Sequence, residues 1–435
     1  MERERVFWRL FGRKLISFCR LDDGRYVGSG LLNPLFERLS LFTMLALQAR
    51  FYAKYKSLPQ WKGMRVANPF APPVGSRPQF RALKGLVKKY LTGRPSPLAM
   101  TFAVTYRCQC NCVHCSAARC QRADVPELST EEAKRLIDES QKLGVCILAF
   151  TGGEPLLRPD IFELIAHVDQ RKCLPLMFTN GILLSTETID RLAEAGLYTL
   201  FVSLDAANAE EHDRLRATPG LFEKAIGGLR RAREKGIMTG ISSYASRTGT
   251  AAGQYRKMYE LAAELGAHTL LLFDCVPTGR QIRQTSEMLT GEQREEILEF
   301  TRAVFKRSDV PSLSSQAWQN SLEGYLSGIG CLAGNIQYYV SAYGDVAPCD
   351  FAPLSFGNIR EEPLRAIWKR LISHPAYDHT SHVCRMQHAG FRRCYIDPIP
   401  DDVRLPYPIA ELPRVSYVEK QAGGRGRAAD TVKTT

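Results

Sequence analysis

The run Thr105-Tyr106-Arg107-Cys108-Gln109-Cys110-Asn111-Cys112-Val113-His114-Cys115 sets three thiols in the spacing Cys108-x3-Cys112-x2-Cys115. Thiolates this close in sequence can share one metal centre. Iron-sulfur clusters are normally held by four thiolates, so a loop that supplies three leaves one iron with open coordination positions. A Cys-x2-Cys pair is also a frequent zinc signature, and Cys110 and Cys120 add thiols nearby. Far along the chain stand Cys331, Cys349, Cys384 and Cys394. Four thiolates can ligate one cluster fully, or one zinc ion, with His382 or His388 as further zinc donors. Cys19, Cys146 and Cys173 suit small apolar packing positions.

These residues need elements to position them. From about Pro95, short apolar runs alternate with amphipathic helical stretches, the pattern of a parallel α/β sheet or barrel. Strands are expected at 98–105, 145–150, 175–178, 198–204, 237–243 and 268–274, which makes six βα units. Ser129 and Glu132 form a capping box ahead of Ala133, Leu136 and Ile137, and Gly196, Gly236 and Gly266 stand at helix ends. The first cysteine group directly follows the first strand, and Thr151-Gly152-Gly153-Glu154-Pro155 follows the second. Phe178-Thr179-Asn180-Gly181 and Ser203-Leu204-Asp205 close the third and fourth, so all face one rim of a barrel, where active sites assemble. Cys275, past the sixth strand, faces the same rim.

Together these motifs resemble the radical S-adenosylmethionine (SAM) superfamily over roughly residues 98–280. The resemblance implies a partial (β/α)6 TIM-type barrel and a [4Fe-4S] cluster on Cys108, Cys112 and Cys115 whose open iron is chelated by SAM. His114 takes the place of a side chain that packs on the SAM adenine, and Gly152, Gly153 and Glu154 match the family's GGE motif at the SAM amino group. Asn180, Ser203, Asp205 and Arg216 fall where relatives carry further cofactor contacts, although each also suits a strand-end polar group. Cys331-x12-Gly344-x4-Cys349 resembles the first half of the SPASM/Twitch pattern, a C-terminal extension with auxiliary clusters. Only Cys384 and Cys394 follow, which implies one auxiliary cluster ligated by four cysteines in a small α+β domain.

What the resemblance implies chemically is reductive cleavage of SAM to a 5′-deoxyadenosyl radical that removes hydrogen from substrate. Flavodoxin or ferredoxin would supply the electron, and the auxiliary cluster would transfer another. The substrate is read as a peptide or a membrane lipid or isoprenoid, with a tetrapyrrole or small metabolite as alternatives. A non-enzymatic iron-sulfur electron carrier would need no GGE motif. The organisation expected is an N-terminal extension over 1–97, a core over 98–310, a cluster domain over 311–398 and a proline-rich tail over 399–435.

The chain has 435 residues, 45% of them hydrophobic, and a net charge of +13. Residues 1–97 hold 19 Lys or Arg against 5 Asp or Glu, so the basic excess lies entirely there. Phe7, Trp8, Leu10, Phe11, Leu15, Ile16 and Phe18 are interspersed with these cations, as in an interfacial amphipathic helix. A basic helical extension is therefore expected, either packed as an accessory domain or touching the membrane periphery. The apolar stretch 39–47 is too short to span a bilayer, which takes roughly 20 residues. No nucleic-acid-binding signature is present, and the start lacks a signal-peptide pattern, so a cytoplasmic protein, peripheral to the membrane's inner face if the extension contacts lipid, is expected.

Overall fold

A computed structural model describes residues 59–66, 68–307, 311–321, 330–381 and 383–413, with the backbone of short strands at 4–10, 13–20, 26–29, 415–416 and 433–434. Its centre is a nine-stranded sheet. Counting strands from the N-terminus, β1 (Glu4–Leu10), β2 (Arg13–Arg20) and β3 (Tyr26–Ser29) form a separate antiparallel sheet, and β4 (Gln60–Trp61) and β5 (Met64–Arg65) a small hairpin. The central sheet begins with β6 (Ala99–Thr105), β7 (Ile147–Gly152), β8 (Leu174–Thr179), β9 (Thr199–Ser203), β10 (Met238–Ala245) and β11 (Thr269–Asp274). Each pairs in parallel with the next, and helices fill the connections, the winding of a partial TIM barrel.

The sheet runs past both ends of the expected core. β12 (Ser312–Ser315) pairs in parallel with β11, although the expected core stops at residue 310. Its sequence, Ser-Leu-Ser-Ser, has a single apolar side chain and no β-branched residue, so neither pattern nor propensity marks it. At the other edge β13 (Gln337–Val340) pairs in parallel with β6 and carries β14 (Val346–Ala347) antiparallel beside it. The C-terminal segment thus extends the barrel wall next to the strand that precedes Cys108.

Side chains alternate across these strands, as a two-residue period requires. One set, including Phe102, Leu148 and Phe150, packs on helix residues such as Leu136 and Leu164. The other, including Ala149, Leu176 and Phe201, packs with Val66, Trp61 and Phe70. The Tyr198 hydroxyl donates to the Ala71 carbonyl at 3.0 Å and the Thr199 hydroxyl to the Pro69 carbonyl at 2.8 Å. Residues 59–66 and 68–71 of the basic extension therefore close off an apolar face of the barrel.

The helical expectation for residues 7–18 is corrected. That stretch lies largely in β1 and β2, whose sequences hold Val6, Phe7, Trp8, Ile16 and Phe18, types that favour strands. A helix is present further on, at Arg77–Thr92, between a Ser76 N-cap and Gly93. The 39–47 stretch lies outside the described residues, and among those described no helix is long and apolar enough to cross a membrane.

Candidate functional site

The cysteine loop leaves β6 at Thr105 and is held from several sides. Gly153 N–H donates to the Thr105 carbonyl at 2.7 Å, and Glu154 N–H to the Arg107 carbonyl at 2.8 Å. A Cβ on Gly152 would lie 2.0 Å from the Thr105 carbonyl oxygen, and one on Gly153 would lie 2.3 Å from that of Arg107. Both glycines thus serve the close approach of the β7 turn to the cysteine-loop backbone. Further along, Asn111 N–H and Val113 N–H donate to the carbonyls of Arg216 and Leu215, at the end of the helix Ala209–Arg216. Arg280 N–H donates to the Cys115 carbonyl at 3.0 Å, and Gly279 leaves no room for a Cβ against Cys115 and Ser116.

Cys108 is exposed, Cys115 half-buried and Cys112 buried, and all three are free thiols. The neighbouring Cys110 thiol raises the Cys108 thiol and lowers that of Cys112, with Arg216 also favouring the Cys112 thiolate. Burial raises Cys115. Among the described residues, no trio of His, Cys, Asp or Glu has the close spacing of single-ion ligands. Three free thiols on one pinned loop, beside a buried cation, fit the donor set of a cluster with one open iron.

Glu154 sits next to this loop with no exposed surface. Its carboxylate accepts from the Thr179 hydroxyl at 2.8 Å, from Asn180 N–H at 2.8 Å and from Leu156 N–H at 3.2 Å. Burial pushes its carboxyl up to about 7 against the pull of those donors. A carboxylate offers roughly four acceptor positions, so one stays available for an amine. The Asn180 amide reaches Cys108 Sγ at 3.7 Å and Gln109 Oε1 at 3.4 Å.

Asp205 and Arg216 form a buried bidentate pair, Nε to Oδ2 at 2.7 Å and Nη2 to Oδ1 at 3.1 Å. Burial opposes both charges, but their mutual attraction prevails and holds the carboxyl low and the guanidinium high. His114 Nε2 lies 3.4 Å from Asp205 Oδ2, and its ring centroid is 4.4 Å from that of Tyr244. Burial lowers the His114 pKa, and its Nδ1 is buried without a hydrogen-bond partner, a polar atom left for a ligand. Ser203 ends β9 half-buried, with its backbone paired to β10.

In the C-terminal segment, Cys331, Cys349 and Cys384 influence one another electrostatically, and all three act on buried Tyr377. Burial raises Cys349 and pushes Cys384 up to about 12. Cys394 is buried on the helix Ala389–Tyr395. His388 caps that helix, accepting from Phe391 N–H at 3.3 Å, and His382 lies outside the described residues. Cys275 is buried, with its thiol 3.9 Å from Gln281 Oε1. Between the two cysteine groups lies a cavity of about 50 Å³ lined by Ser116, Thr151, Thr278, Tyr339, Cys349 and Asp350. The Tyr339 hydroxyl is 2.6 Å from that of Tyr106, two residues before Cys108, a pairing across the sheet with no sequence signal.

The sequence matches the Radical SAM superfamily over residues 102–245 and an iron-sulfur cluster-binding domain, SPASM, over residues 331–394. It is 36% identical over 292 residues to an AdoMet-dependent heme synthase of Methanosarcina barkeri, covering 63% of this chain and 82% of that protein. A mycofactocin maturase of Mycobacterium tuberculosis is 29% identical, covering 61% and 68%. Among solved structures, SuiB of Streptococcus suis bound to its precursor peptide SuiA superposes with a TM-score of 0.51 at 15% identity, covering 84% of this chain and 87% of SuiB. An AdoMet-bound structure, anSMEcpe, reaches 0.53 at 20% identity, covering 71% and 92%. Those two likenesses concern the fold. Family matches fall on both cysteine groups, and the heme synthase likeness extends across most of that enzyme. This chain therefore belongs to the radical SAM superfamily, as an enzyme that uses SAM and a [4Fe-4S] cluster and carries a SPASM domain for additional iron-sulfur ligation.

Proposed function

We propose that this enzyme takes hydrogen from a carbon of an iron tetrapyrrole, with Cys108, Cys112 and Cys115 holding the SAM-binding cluster. When bound, the cluster and SAM supply one-electron cleavage to methionine and a 5′-deoxyadenosyl radical, and a second cluster on Cys331, Cys349, Cys384 and Cys394 supplies an electron acceptor. The observation that carries the SAM-binding assignment is the bonding of Gly153 and Glu154 to the two residues at the root of the cysteine loop. It holds Glu154 next to the cysteine loop, where its remaining acceptor position would take a SAM ammonium. Asp205, itself fixed by Arg216, orients His114 so that its ring can meet the adenine, and Tyr244 backs that ring.

The tetrapyrrole assignment rests on relatives. The heme synthase likeness is joined by a 30% identity to an Fe-coproporphyrin III synthase of the same organism, covering 72% of that protein. A peptide substrate is the second reading, favoured by the antiparallel sheet β1–β3, whose edge strands could add an extended peptide. The mycofactocin maturase supports the same reading. Incubating the reconstituted enzyme with SAM, dithionite and iron coproporphyrin III tests the choice. Formation of 5′-deoxyadenosine in step with a mass change on the tetrapyrrole is expected; an unaltered tetrapyrrole would remove that assignment.

A further inference from the structure

We propose that the face carrying Arg191, Lys224 and Arg231 is the docking surface for an acidic electron-carrier protein that reduces the cluster from the Cys108 side. The inference rests on the SAM-cleavage reading and adds to it the place where the electron enters. A cavity of about 520 Å³ opens here, with apolar walls that include Leu156, Phe162 and Ile182. Its three charged lining residues are all cations, and no carboxylate lines it.

These cations are held without acidic partners. The Arg191 guanidinium lies 3.8 Å from the Phe162 ring centroid, a cation–π contact. Arg231 donates to the Leu184 carbonyl, while its Nε is buried and has no hydrogen-bond partner. Lys224 is exposed. Among the described residues, no ion pair is made by any of the three. The helices Thr186–Glu194 and Leu221–Glu234 that carry these cations also bear Glu187, Asp190, Glu194, Glu223 and Glu234, all outside the cavity lining, and Asp190 is paired with Lys235. An apolar cavity whose own charged lining is entirely cationic suits a transient encounter with a partner of opposite charge.

The location gives the surface its purpose. Leu156 N–H donates to Glu154, and Ile182 N–H donates to Asn180 Oδ1 at 2.9 Å. The same Asn180 reaches Cys108 Sγ at 3.7 Å, and Cys108 is the exposed member of its trio. Arg107, whose Nη2 donates to the Leu157 carbonyl at 3.1 Å, adds a further cation between the cavity and Cys108. A carrier seated here delivers its electron through the Asn180 and Cys108 side chains without crossing the barrel. One electron leaves the reduced carrier and enters the cluster; no atom is transferred.

The test compares 5′-deoxyadenosine formation by the reconstituted full chain driven either by reduced flavodoxin or by dithionite. In an Arg191→Glu/Lys224→Glu protein the flavodoxin-driven rate at low salt is expected to fall by about tenfold or more and to lose its salt dependence. The dithionite-driven rate is expected to stay unchanged. A flavodoxin-driven rate equal to that of the parent overturns the docking surface, and so does an equal loss in both arms. If the double variant does not fold, Lys224→Gln at an exposed helix position gives the same reading. It should slow only the flavodoxin arm, and an unaltered rate counts against the proposal. Absence of product from the parent protein in both arms would instead remove the SAM-cleavage reading beneath it.

Discussion

Glu154 N–H is bonded to the carbonyl of Arg107 at 2.8 Å, so the turn after β7 is tied to the residue immediately before Cys108. Gly153 makes that tie possible, because a Cβ there would lie 2.3 Å from the Arg107 oxygen and 2.7 Å from that of Tyr106. Both neighbours are backbone and cannot swing aside. Gly153→Ala should therefore displace the root of the cysteine loop by a fraction of an ångström or more. Loss of 5′-deoxyadenosine formation by roughly 100-fold is expected, with far-ultraviolet circular dichroism unchanged. A variant that cleaves SAM at the parental rate would show that the tie is incidental.

Buried Glu154 predicts a pH effect on the cluster-free protein. Its carboxyl is raised from an ordinary 4.5 to about 7, so the protonated form is the one that folding favours. The associated stability is fully present below about 4.5 and is lost as pH rises through about 7, a change of roughly 3 kcal/mol. Glu154→Gln should lack that slope. Denaturant titrations from pH 4 to pH 8 should find the variant gaining on the parent as pH rises; parallel curves would contradict the assignment.

The Asp205–Arg216 pair is buried, and removing one partner strands the other charge. Asp205→Asn should destabilise the cluster-free protein by about 3 kcal/mol, as measured by urea unfolding. Asp205→Asn/Arg216→Met, which removes both charges, should recover part of the loss. A single variant as stable as the parent would mean that water reaches the pair.

Replacing Cys384 separates the two metal sites. Cys384→Ala should lower the iron content to that of one cluster and leave SAM cleavage by dithionite intact, since the thiol belongs to the C-terminal group around Tyr377. Product formation from substrate should fall with the second cluster. Iron content and an auxiliary-cluster electron paramagnetic resonance signal both equal to the parent's would exclude Cys384 as a ligand.

Much of this arrangement was legible because local signals and global fold agree. The six core strands have apolar, β-rich sequences, and the Ser129–Glu132 capping box forms as its spacing requires, with Glu132 also gripped by Arg360 at 2.7 Å. Illegible features are those set by contacts distant in sequence or by weak local pattern. β12 is almost wholly polar, and the strands at 4–20 have a basic, aromatic composition that also suits a helix at an interface. Gly152 and Gly153 were recognisable as a close-approach motif, but only the fold shows that they approach Thr105 and Arg107. Likewise, no spacing rule announces that Tyr106 meets Tyr339.

The most direct measurement is 5′-deoxyadenosine released when the anaerobically reconstituted protein is mixed with SAM and dithionite. The parent protein should form it, and Cys112→Ala should form none. A parent preparation with both clusters full that yields no product, or a Cys112→Ala protein that still cleaves SAM, would contradict the assignment of the Cys108, Cys112 and Cys115 loop.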